Sequence, residues 1–85
     1  MLTADIQSEI RVFLVNNFLS GRSEKLNDDE PLLDNVIEST GVLELVSFLQ
    51  ERFGIAVPDE DVNPGNLDSV KNIVAYVARK LQSKP

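Results

Sequence analysis

Residues 38 to 54 read ESTGVLELVSFLQERFG, and this stretch decides the fold. Wound at about 100° per residue, it places Val42, Leu45, Val46, Leu49 and Phe53 on one face, the i, i+3, i+4, i+7, i+11 pattern of a helix buried on one side. Thr40, Glu44, Ser47 and Glu51 fall on the other. Leu43 and Phe48 lie off the stripe on opposite flanks, so a neighbouring loop or a partner has to cover them. Gly54 suits the left-handed position just past a helix end, and Ser39 suits the N-cap. About fifteen residues make a rod of roughly 22 Å.

Two readings of Ser39 follow. In the first its hydroxyl only caps, accepting a hydrogen bond from a first-turn N–H that has no intrahelical partner. In the second it carries an anionic group, because those N–H groups and the positive end of the helix dipole favour a phosphate. Periodicity alone leaves both open.

The chain of 85 residues has the size of one domain, which buries roughly 60% of its unfolded surface. Its 42% hydrophobic content supports one core, and no run approaches the length of a membrane span. MLTADIQSEI lacks a basic region followed by an apolar run, so no secretory signal is expected and a cytoplasmic location is. With no Cys and no His, thiolate chemistry, the usual general base and the commonest metal ligand are all missing. Nothing pairs a nucleophile with a base, so the chain is not expected to be an enzyme.

Fourteen acids against eight bases give a net charge of −6, which opposes a nucleic-acid partner. Residues 24–61 hold eleven acids and two bases, whereas the rest holds three acids and six bases. The acidic middle surrounds the Ser39 helix. It serves either as solvated surface or as a field that steers basic partners.

Outward from this helix, residues 3–18 form a first helix with Thr3 as N-cap and Ile6, Ile10, Phe13 and Leu14 inward. Asn17 projects toward the apolar side where the helix frays, and Gly21 ends or closely follows it. Residues 20–38 make a connection long enough to suggest function. Leu26, Leu32, Leu33, Val36 and Ile37 peg it to the core while Asp28, Asp29, Glu30 and Asp34 stay in solvent, and Pro31 favours a turn of helix over Leu32 to Asn35. Beyond Gly54, Ile55 and Val57 anchor an extended connector. Pro58 then opens a one-turn helix over Asp59 to Val62, whose acids suit a first turn. A calcium loop is the sharper alternative there, but the spacing lacks the glycine and the terminal glutamate of that motif. Asn63 to Asn66 are turn residues. A last helix, Ser69 to Gln82, is capped by Asp68 or Ser69, turns Val70, Ile73, Val74, Val77 and Leu81 inward, and ends in Arg79, Lys80 and Lys84. The whole is expected to be one all-α domain over 1–85: a small four-helix bundle of three long helices and one short, with a long loop between the first two long ones.

The run from Pro31 through Val77, with ESTGVLELVSFLQERFG, then IAVPDEDV, then LDSVKNIVAYV, resembles the acyl carrier protein family over nearly the whole chain. Each piece alone is common, but in this order and spacing they are fairly specific. The resemblance implies that a phosphopantetheinyl transferase moves 4′-phosphopantetheine from coenzyme A onto Ser39, and that acyl or aminoacyl groups ride as thioesters on the arm. An activating ligase and downstream acyl-transfer enzymes are the implied partners, with the chain a monomer and neither nucleic acid nor membrane involved. Partner recognition would fall to Glu38, Thr40, Leu43, Glu44 and Ser47, with Glu51, Arg52, Asp59 and Glu60. Val46, Phe48, Leu49 and Ile55 would lie where a tethered chain inserts.

The family usually shows Asp-Ser-Leu or Asp-Ser-Met, and this chain has Glu38-Ser39-Thr40. It also has Gln50, Glu51 and Arg52 where fatty-acid carriers show a run of glutamates. Arg52 places a positive charge on a surface that usually meets basic partners, so a dedicated partner set in a specialised lipid or secondary-metabolite pathway is expected. Gly41 is a minor hint of carriers served by adenylating ligases. The alternative is a non-carrier acidic interaction module in which Ser39 is only a helix cap.

Overall fold

The computed structural model describes residues 3–21, 26–29, 31–33 and 37–82, apart from the Ser39 side chain. Helix α1 spans Thr3–Phe18, α2 spans Ser39–Phe53, a 3-10 turn covers Asp59–Asp61, α3 is the single turn Pro64–Leu67, and α4 spans Val70–Gln82. The all-α bundle of three long helices with short ones between is the expected architecture. Asn35, the Val36 peg, Glu30, Asp34 and Lys84 lie outside the described residues.

The apolar stripes meet in one core. Ile6, Ile10 and Leu14 of α1, Leu45, Leu49 and Phe53 of α2, and Val70, Ile73 and Val77 of α4 are buried together. Phe13, Val42, Val46, Val74 and Leu81 sit at its edge. α1 packs mainly on α4. Val15, Leu67 and Tyr76 are also buried, although none of them lay on an expected stripe.

The long connection is pegged as expected by Leu26, Leu32 and Ile37, all buried. Asp29 stays exposed as expected, but another of its acids corrects the sequence reading. Asp28 does not simply face solvent: its carboxylate accepts from Gln7 Nε2 and Arg11 Nη1, both at 2.6 Å, and its carbonyl accepts Lys71 N–H at 3.0 Å. One aspartate thereby ties the loop to α1 and to the start of α4. Asp68 is likewise claimed by the loop, its carbonyl taking Leu32 N–H and its side chain taking Leu33 N–H. The cap of α4 therefore falls to Ser69, whose Oγ accepts Asn72 N–H at 3.0 Å.

α2 stops where expected, with Gly54 at φ 67° and its N–H returned to the Gln50 carbonyl, the geometry that glycine adopts without a Cβ penalty. The Gln50 side chain also matters, because its oxygen accepts Val57 N–H at 3.0 Å and holds the extended connector so that Ile55 and Val57 are buried. The residues read as a turn after Val62 instead wind into α3. Asn63 caps that turn through the Asn66 N–H, Pro64 takes the first helical position where no N–H is needed, and Leu67 is buried.

Tyr76 links α4 to the 3-10 turn, its hydroxyl donating to the Asp61 carboxylate at 2.7 Å. Burial raises the phenol's pKa above its ordinary value, and the hydrogen bond to Asp61 and its charge push the same way, against the Arg79 cation. Because the folded state favours the neutral phenol, this contribution to stability is complete below the ordinary phenol pKa of 10.0 and is lost as pH rises above it. Tyr76 is the one tyrosine and there is no tryptophan, so ultraviolet titration of the native protein reports it directly. The tyrosinate signal is expected above the free-phenol range, with alkaline unfolding alongside. An ordinary midpoint in the folded protein would contradict the Asp61 contact.

Candidate functional site at the mouth of α2

The mouth of α2 lies one residue earlier than the sequence suggests. The N-cap is Glu38, with extended backbone at φ −78° and ψ 167° and no side-chain cap hydrogen bond. Its carbonyl takes the N–H groups of Gly41 at 2.8 Å and Val42 at 3.2 Å. Ser39 is the first helical residue, so the expectation that it occupies the N-cap is corrected. Its neighbours Glu38 and Thr40 are exposed.

Gly41 explains why the first turn sits where it does. A Cβ there would lie 2.6 Å from the Phe18 ring and 3.2 Å from an Ile37 methyl, so only glycine lets α2 press this closely onto the end of α1. Packing accounts for this residue. Asn17, Phe18, Glu38, Thr40, Gly41 and Glu44 enclose a groove of about 280 Å³ beside the mouth. Sequence reasoning missed Phe18 as part of this site. The available signal was a large apolar residue at one helix end and a glycine in the first turn of the next.

The rest of α2 divides as its pattern implies. Glu44, Ser47 and Glu51 are exposed, and Leu43 is 71% exposed. Phe48, also off the stripe, is half covered by α1: its ring stacks on Phe13 with centroids 4.2 Å apart. Arg52 pairs with Glu9, its Nε 2.6 Å from the carboxylate. The guanidinium therefore does not stand as a bare positive charge on the outer face, which corrects the sequence picture, although a surface pair of this kind contributes at most about 1 kcal/mol. Asp59 and Glu60 are exposed on the 3-10 turn. Leu49 and Ile55 belong to the core and Val46 packs at its edge. Among the described residues no cluster of acidic side chains could hold a metal ion, and no helix is long and apolar enough to cross a membrane.

No protein-family model matches the chain. It is similar to an acyl carrier protein of Akkermansia muciniphila, 32% identical over 87% of this chain and 90% of that protein. It is also similar to one of Campylobacter hominis, 30% identical over 94% of this chain and 99% of that protein. The protein named "Probable acyl carrier protein PigG" of a Serratia species is 27% identical over 87% of this chain and 86% of its own length. The chain belongs to the acyl carrier protein family.

Acyl carrier proteins are non-catalytic carriers that normally hold a phosphopantetheine group and work with acyl-handling enzymes. The residues here fit such a group. An anionic phosphodiester suits the positive end of a fifteen-residue helix. No side chain of the N-cap residue occupies the first-turn amides, and the residues on both sides of Ser39 are open to solvent.

Proposed function

We propose that this acyl carrier protein holds acyl or aminoacyl groups as thioesters on a 4′-phosphopantetheine arm attached to Ser39, and presents them to partner enzymes of a specialised pathway. The observation that carries this reading is the placement of Ser39 as the first residue of α2 between two exposed neighbours. In the loading step a transferase base takes the serine proton, the oxygen bonds to the pantetheine-side phosphorus of the coenzyme A pyrophosphate, and the bridging P–O bond breaks to release adenosine 3′,5′-bisphosphate. The arm supplies the thiol that a chain without cysteine lacks.

The chain's own residues do the rest. Leu43 offers an apolar contact beside Glu44, Ser47 and Glu51, and Asp59 and Glu60 extend the negative field along the chain. Such a surface selects partners with an apolar residue ringed by lysines or arginines, and it acts more on encounter rate than on affinity. Thr40 in place of a large apolar residue supports a dedicated partner set. The reading in which Ser39 is only a cap draws less support, since Glu38 is the N-cap.

Coexpression with a broad-specificity phosphopantetheinyl transferase and intact mass measurement test the proposal. One phosphopantetheine adduct per chain is expected. An unchanged mass with several transferases, including one encoded beside this protein, would refute it.

A further inference from the structure

The mouth of α2 is held from two sides. On one, the Phe18 ring lies against Gly41. On the other, the chain entering the helix is tied to the junction of α3 and α4 by hydrogen bonds that converge on Asp68. The Asp68 carbonyl accepts Leu32 N–H at 2.6 Å, and its carboxylate accepts Leu33 N–H at 3.0 Å. The Leu32 carbonyl in turn accepts Ile37 N–H at 2.8 Å, and Leu33 and Ile37 form an isolated parallel β-bridge. Ile37 is buried, with a methyl 3.2 Å from where a Cβ at Gly41 would stand. Glu38, the N-cap, follows it directly, and Ser39 comes next.

The far end of this tie is firmly set. Asp68 returns its own N–H to the Pro64 carbonyl at 3.1 Å, and it stands between buried Leu67 and buried Ser69, the residue that caps α4. Leu32 is buried as well. The backbone bond to Leu32 survives any substitution at 68, whereas the bond to Leu33 depends on the side chain. The mouth depends on such an anchor. Glu38 makes no side-chain cap hydrogen bond, the first-turn amides have no intrahelical acceptor, and helix ends fray. The path of the chain before the helix therefore decides how firmly residue 39 is placed.

We infer that Asp68 is a positioning residue for the loading of Ser39, acting through Leu33 and Ile37 to hold the mouth of α2 in the arrangement a transferase binds. This rests on the assignment of Ser39 as the attachment residue. The consequence is kinetic. When the side-chain bond is cut, only a fraction of the molecules holds the competent arrangement, and the apparent affinity of a transferase for the chain falls by that fraction. Every bound molecule has the right geometry, so transfer from the complex keeps its rate. Loss of the Asp68 carboxylate thus raises KM for the carrier and leaves kcat alone.

The test is steady-state loading of the full chain by a broad-specificity phosphopantetheinyl transferase with coenzyme A, followed by intact mass, at a temperature where circular dichroism shows each variant folded. Asp68→Ala should raise KM for the carrier roughly fivefold or more while kcat stays within about twofold. Asp68→Asn keeps an acceptor oxygen for Leu33 and should bring KM back to within about twofold of the unaltered protein. Asp68→Leu fills the space without an acceptor and should match Asp68→Ala, so the comparison does not depend on how alanine is tolerated. Val77→Ala thins the buried face of α4 without touching the tie, and its KM should not move. Amide hydrogen exchange at Leu33, Ile37 and Gly41 should quicken in Asp68→Ala and not in Asp68→Asn. An unchanged KM in both folded variants that lack the acceptor, or a loss confined to kcat, would overturn the inference and leave Ser39 as the attachment residue. An equal rise in Val77→Ala, no rescue by Asp68→Asn, or a rise in KM without quicker exchange would overturn it as well. No adduct on the unaltered chain with several transferases would overturn the Ser39 assignment, and the inference with it.

Discussion

Ser39→Ala is expected to abolish the phosphopantetheine adduct completely while leaving the protein folded and nearly as stable as before. The chain has other serines, and Ser47 is exposed on the outer face of α2 itself. It lies two turns along the helix, where every amide is already bonded within the helix and the dipole offers an anion nothing. Ser47→Ala should therefore load like the unaltered protein. The stability half of the result comes from the N-cap being Glu38. A true cap serine replaced by alanine costs about 1 kcal/mol. At the first helical position alanine is a good helix former, so the change should stay within about 0.5 kcal/mol. For a domain of this size 1 kcal/mol moves the melting temperature by roughly 4 to 8 °C, so thermal unfolding separates the two outcomes. Loss of stability with the adduct retained elsewhere would favour the capping role and remove Ser39 as the attachment residue.

That one-residue difference at the mouth of α2 shows what the sequence could and could not deliver. The periodicity of residues 38–54 located the helix, its buried face and the glycine that ends it, because each is a local consequence of 3.6 residues per turn and of glycine's backbone freedom. The boundary slipped by one, as helix ends do when serine and glutamate both fit the first turn. The loop pegs Leu26, Leu32 and Ile37 were legible because apolar residues in an acidic stretch have few other places to go.

What escaped depends on distant partners. Asp28 reads as one more surface acid until Arg11 and Gln7 arrive beside it from α1. Arg52 reads as a free cation until Glu9, 43 residues away, reaches it. Pro64-Gly65-Asn66 has turn composition, and only the burial of Leu67 and the cap supplied by Asn63 make it helical. The pattern shows that Phe48 needs cover, but that the cover is Phe13 while Leu43 stays exposed is settled only by where α1 lies. The candidate site thus divides into a mouth visible in the sequence and an aromatic contact between α1 and α2 visible only once the helices are placed.

The largest effect on stability is expected from Leu49→Ala. Leu49 is fully buried in the middle of α2 and belongs to the core that also includes Ile10, Leu14 and Ile73. Removing its branched end takes away apolar contact and leaves a space that the surrounding helices close only in part, at a cost of about 2 to 5 kcal/mol. A chain of 85 residues has a total stability of about 4 to 13 kcal/mol, so the variant should lose a large share of it and melt many degrees lower. In urea the midpoint should fall while the slope stays the same, since the surface exposed on unfolding barely changes. Leu43→Ala is the matched control on the same helix: Leu43 is 71% exposed, and its truncation should change stability by no more than about 0.5 kcal/mol. A Leu49→Ala variant that unfolds like the unaltered protein would mean that Leu49 borders open space and not packed core. A deep loss at Leu49 beside none at Leu43 fits a bundle whose interior is already full, with its free apolar surface facing outward along α1 and α2.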